Sequence, residues 1–85
     1  MAHYSISELT TMREILEMAM KREHDSVAFY TTAAERAQTQ MERKMFLELV
    51  EEERGHASAL EKQLEQVLAQ LEIDRAMTGE DPMLD

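Results

Sequence analysis

The sequence predicts an all-α chain. It reads as an antiparallel helical hairpin, two copies of which close into a four-helix bundle. Three observations carry this. The composition is rich in Ala, Leu, Met, Glu, Gln, Lys and Arg, with two Gly and one Pro, a mixture that favours helix. Apolar residues recur at steps of three and four along two segments joined by a short polar connection. Finally, 85 residues folded as two helices bury too little surface to enclose a substantial core. With no cysteine there is no disulfide to compensate, so self-association is the remaining source of stability.

The chain reads as one domain, 1–85. Residues 1–6 form a short leader in which His3 is expected to be disordered. Ser5 or Ser7 can cap the first helix, and Ser5-x-x-Glu8 has the spacing of a capping box. From about residue 8 to 37 there is no Pro or Gly. The inward stripe reads Leu9, Met12, Leu16, Ala19, Glu23, Ser26, Tyr30, Ala33 and Ala37, with Ile15, Val27 and Ala34 widening it. Thr39-x-x-Glu42 repeats the capping pattern and opens a second helix at about residue 40. Its stripe reads Phe46, Leu49, Glu53, His56, Leu60, Leu64, Val67 and Leu71. This helix is expected to reach about residue 76, with residues 70–77 either continuing it or breaking into a short third helix. Gly79 and Pro82 stop any helix, and the tail 78–85 is expected to be mobile.

Charge and hydropathy exclude several roles. The formal net charge is −9, and no basic patch stands out, which argues against nucleic-acid binding. No stretch has the length of a membrane-spanning helix, and no signal-peptide pattern opens the chain. A cytoplasmic, soluble protein is the expectation.

The polar residues inside the stripes carry the chemistry. In a tight hairpin Glu23 lies roughly 24 Å before the turn and Glu53 roughly 21 Å after it, at about 1.5 Å per residue. The two carboxylates therefore meet at one level. His56 shares their face, three residues beyond Glu53. Burying an unpaired carboxylate costs several kcal/mol, and two facing carboxylates repel unless a proton or cation intervenes. A divalent cation removes both penalties, and oxygen ligands with one imidazole suit iron, manganese or zinc. A carboxylate-bridged di-iron centre in a four-helix bundle uses four carboxylates and two histidines. One chain supplies half of that set, and a two-fold axis through the site supplies the rest.

Here the sequence resembles a family. Ile15-Leu16-Glu17-Met18-Ala19-Met20-Lys21-Arg22-Glu23, Phe29-Tyr30 and Ala33-Ala34 are similar to the first half of a rubrerythrin-type ferritin-like domain. Phe46-Leu47-Glu48-Leu49 and Glu51-Glu52-Glu53-Arg54-Gly55-His56-Ala57 are similar to its second half. The half-length chain and the 30-residue spacing from Glu23 to Glu53 most resemble encapsulated ferritin. That resemblance implies a homodimer with a di-iron ferroxidase site between its chains, dimers assembled into rings, and an encapsulin shell as partner. Glu23, Glu53 and His56 match the metal ligands. It implies Fe(II) oxidation by dioxygen or peroxide, for iron storage or detoxification inside an encapsulin nanocompartment. Two departures bear on this. Rubrerythrin proper has a cysteine-ligated iron domain, and this chain has no cysteine, which favours iron oxidation over peroxide reduction. Residues 78–85 are unlike the apolar tail that docks encapsulated ferritins in their shell.

Other readings stand beside these. Glu23, Glu53 and His56 could form a metal-free polar layer that fixes register in a helical interaction module, or a peroxide-scavenging or passive metal site. Tyr30 is either core or a hydrogen-bond partner just outside the ligands, since helical side chains lean toward the N-terminus and so toward the level of Glu23. Glu51 and Glu52 read as solvated charges, and His24 and Asp25 as surface residues near the site. Met12 and Met45 read as adaptable core filler. Gly55 costs about 1 kcal/mol inside a helix, which close packing against the neighbouring helix would explain.

Overall fold

A computed structural model of the chain describes residues 4–78. Residues 1–3, with His3, and 79–85, with Gly79 and Pro82, lie outside the described residues, whereas Ser5 and Ile6 of the expected leader and Thr78 of the expected tail belong to the helices and their caps. The chain forms two helices, α1 (Ile6–Arg36) and α2 (Gln40–Thr78), and no strand among the described residues. They pack as a helical hairpin.

Each helix starts where its side chains satisfy free backbone donors. Ser5 is the N-cap of α1, and both bonds of a capping box form. The Glu8 N–H donates to Ser5 Oγ at 3.1 Å and the Ser5 N–H to Glu8 Oε1 at 3.2 Å. α1 ends as Ala37 turns to extended backbone, its N–H donating to the Ala34 carbonyl. At the start of α2 the Glu42 N–H donates to Thr39 Oγ1. The Glu42 carboxylate reaches back to the N–H of Gln38 rather than of Thr39, so the second box closes one residue early and ties down the turn. α2 is a single unbroken 39-residue helix; residues 70–77 continue it.

All nine residues of the α1 stripe, Leu9 to Ala37, are buried or half-buried. On α2 the same holds for Phe46, Leu49, Glu53, Leu60, Leu64, Val67 and Leu71. The fully apolar packing is at the open end of the hairpin. There Leu9, Val67 and Leu71 form a core against Ile6, Met12 and Leu16. Burying each such side chain stabilises by about 1.5–3 kcal/mol. Ala34 and Val50 are buried toward the turn. Nothing is fully buried in between, and that middle is where Glu23 and Glu53 lie.

The molecule measures 59 × 29 × 14 Å, so it is one helix layer thick. It exposes 6849 Å², against about 5200 Å² for a compact monomer of this mass. The two sides of the α1 stripe differ. Val27 and Ala34 turn toward α2, whereas Ile15, expected on the inside, is 59% exposed, and Met18 and Phe29, on the same side of α1, are 60% and 67% exposed. Met45, expected as core filler, is 51% exposed. Periodicity fixes a stripe, but one partner helix covers only part of it. No described helix is long and apolar enough to cross a membrane.

Candidate metal centre

Helix α1 presents Glu23 and α2 presents Glu53 and His56. Each offers one ligand atom, and these atoms lie within 4.8 Å of one another. His56 Nδ1 is 3.7 Å from Glu23 Oε2 and 3.7 Å from Glu53 Oε2. The hairpin register is the cause: the level of Glu23 above the turn matches that of Glu53. The carboxylates are mostly shielded, with side chains 23% and 19% exposed, while the imidazole is 63% exposed. His56 thus joins the cluster from outside the stripe. Three helical residues turn about 300°, so its ring points about 60° off the direction of Glu53.

Among the described residues, the ion-pair partner of both carboxylates is His56, which is charged only when protonated. Glu23 Oε2 is buried and has no hydrogen-bond partner. The Glu53 carboxyl is held above its ordinary range. The hydrogen-bonding approach of Glu23 is the main cause, followed by burial and the negative charge of Glu23, while His56 opposes the rise. When both carboxylates are ionised each can only accept, and neither supplies the donor the other needs. Salt bridges elsewhere, such as Lys21–Asp25 and Arg54–Glu51, are exposed pairs within one helix and do not reach the cluster.

A divalent cation suits this donor set, because it gives the orphaned oxygen a partner and offsets the repulsion between the carboxylates. Three donors from one chain would leave further positions on such an ion for other ligands, and His56 would offer Nδ1 or Nε2 of a neutral imidazole.

Tyr30 lies at half-depth two turns from the cluster toward the hairpin turn. Its ring stacks on Phe46 across the hairpin at 6.5 Å and meets Phe29 edge-on at 5.3 Å. Within the chain it forms no hydrogen bond to Glu23 or Glu53. Gly55 differs from expectation: a Cβ there would meet nothing within 4 Å. It lies about 160° around α2 from Glu53, on the side away from α1, so packing inside the hairpin does not explain it. His24 and Asp25 are exposed, and Asp25 pairs with Lys21. Sequence reasoning did not find the exposed row of Ile15, Met18 and Phe29 beside the centre; its signal was a second apolar row one position out of step with the stripe.

Comparison with known proteins agrees with this architecture. A family model described as Rubrerythrin matches residues 14–82, a span that includes Glu23, Glu53 and His56. Searches of curated proteins and of solved structures gave no match. The match spans most of the chain, and the chain belongs to the rubrerythrin family of the ferritin-like superfamily.

Proposed function

We propose that the protein is a ferroxidase whose di-metal site is shared between two copies of the chain. The observation that carries this is the convergence of Glu23, Glu53 and His56 around a buried, unpartnered carboxylate oxygen. It amounts to half the ligands of a carboxylate-bridged di-iron centre. Two copies related by a two-fold axis complete the set, and they also turn a layer one helix thick into a four-helix bundle.

Fe(II) is the substrate. Two Fe(II) ions give up two electrons, which dioxygen takes with two protons to become hydrogen peroxide; with peroxide as oxidant, two electrons and two protons yield two waters. The chain's own residues hold the ions and keep positions open for the oxidant. Glu23 and Glu53 bind or bridge as carboxylates, and His56 binds each ion as neutral imidazole. Manganese or zinc fits the same donors without the same redox chemistry. A place in the cytoplasm inside an encapsulin shell, with dimers in a ring, belongs to this reading, because ferric product then needs a store.

The test is anaerobic titration with Fe(II) followed by air. A carboxylate-bridged ferric absorption band with sustained turnover is expected. A band without turnover would reduce the protein to a passive site. No band would leave a metal-free interaction module.

A further inference from the structure

The open side of the hairpin carries a pattern that the metal site does not use. Ile15, Met18 and Phe29 are large apolar side chains, each more than half exposed. At 100° per residue they fall within about 60° of one another around α1. They lie on the side reached by stepping backward from the stripe. On α2 a backward step from the stripe leads through His56, and in an antiparallel hairpin these two steps reach the same face. The exposed apolar row and the exposed imidazole therefore look toward the same missing layer.

That row has a hollow and a protrusion. A groove of about 330 Å³ is lined by Ile15, Met18, Ala19 and Arg22 and ends at Glu23. It lies on the N-terminal side of the site. Phe29 stands on the other side, its ring held edge-on by Tyr30. Along α1 the levels correspond. Ile15 is about 12 Å and Met18 about 7.5 Å from Glu23 in one direction, and Phe29 about 9 Å in the other.

A two-fold axis through the site and perpendicular to the helices reverses these directions. It lays α1 of one copy over α1 of the other and brings Phe29 to the level between Ile15 and Met18. We propose that Phe29 of each copy seats in the Ile15–Met18–Ala19–Arg22 groove of a second copy. This pair of contacts flanks the metal site and fixes which face, and which of the possible two-fold axes, the dimer uses. The inference rests on the shared-site reading above. An axis parallel to the helices would complete the ligand set too, but it would set Phe29 against the stretch of α2 around Met45, Glu48 and Glu52, where two carboxylates face the ring; in the groove the ring meets Ile15, Met18 and Ala19 with the Arg22 guanidinium, a cation that suits an aromatic face. Aromatic anchors in apolar pockets, surrounded by contacts that exclude water, are the usual centres of such interfaces.

The absence of cysteine makes thiol cross-linking a clean test. Full-length single-cysteine variants Met18→Cys, Phe29→Cys and Met45→Cys are made, mixed in pairs and treated with a short bifunctional maleimide. The Phe29→Cys and Met18→Cys mixture should cross-link. Either variant alone should not, because two copies of the same residue lie about 15–18 Å apart along the helices. Cross-linking of Phe29→Cys with Met45→Cys instead, of one variant with itself, or of none, would overturn the contact. Phe29→Ala supplies a second readout that folding does not confound, since the ring is mostly exposed in the single chain. Its dimer dissociation constant should rise about ten-fold or more, as for loss of an aromatic anchor, with helix content unchanged; an unchanged constant would overturn the contact. Fe(II) titration of the same samples separates the two readings. A ferric band without the cross-link removes this contact and leaves the shared site, while the cross-link without the band keeps the contact and removes the metal.

Discussion

Glu53 shows how a single residue's environment becomes a measurable stability effect. Its carboxyl titrates above the ordinary value of 4.5 because Glu23 and partial burial disfavour the charge. A raised acid binds its proton more tightly in the folded chain than in the unfolded one. Metal-free stability should therefore fall as pH rises from about 4.5 through the raised value, and recover on acidification. Metal at this cluster should reverse the trend, since its binding would require both carboxylates ionised and His56 neutral. Melting curves at several pH values, with and without Zn(II), should diverge as pH rises; parallel curves would argue against metal at this cluster. Glu23→Ala, Glu53→Ala and His56→Ala should each abolish two-metal binding. Tyr30→Phe keeps the ring stacked on Phe46 and edge-on to Phe29 and removes only the hydroxyl. If that hydroxyl bonds a ligand on the second copy, Fe(II) oxidation should slow by about 10–100-fold with metal binding retained. Rates equal to wild type would make Tyr30 packing alone.

At the scale of elements, the stripes were legible because each helix faces one neighbour along its whole length. Leu9, Met12 and Leu16 on α1 and Leu60, Leu64 and Val67 on α2 lie where a step of three and four places them. The Ser5 cap was legible too, because a capping box is a local bond. What the sequence could not show was which flank of each stripe turns in. Ile15 and Val27 look equivalent by periodicity, yet only Val27 is covered, because that choice depends on how α2 is rotated. His56 and Gly55 misled for the same reason: residues near Glu53 in sequence lie about 60° and 160° around the helix from it. The small apolar core makes the open end sensitive. Leu9→Ala, at a site only 2% exposed against Val67 and Leu71, should cost about 2–5 kcal/mol in chemical denaturation. Ser5→Ala should cost about 1 kcal/mol. A Leu9→Ala cost near zero would mean that the helices part there without consequence.

For the whole molecule, a layer 14 Å thick carrying half a ligand set is completed by a second copy in the proposed assembly. Mixing wild-type chains with His56→Ala chains should then lower oxidation faster than the mutant fraction rises, because each hybrid dimer carries one defective shared site. A decline in strict proportion to wild-type chains would mean that each chain works alone. The most direct measurement is the mass of the protein with its metal still bound, taken by native mass spectrometry after anaerobic loading with Fe(II). The shared site predicts a dimer carrying two metal ions, one for each chain, and no two-metal monomer. A single chain holding two ions, or a dimer that remains metal-free, would contradict it.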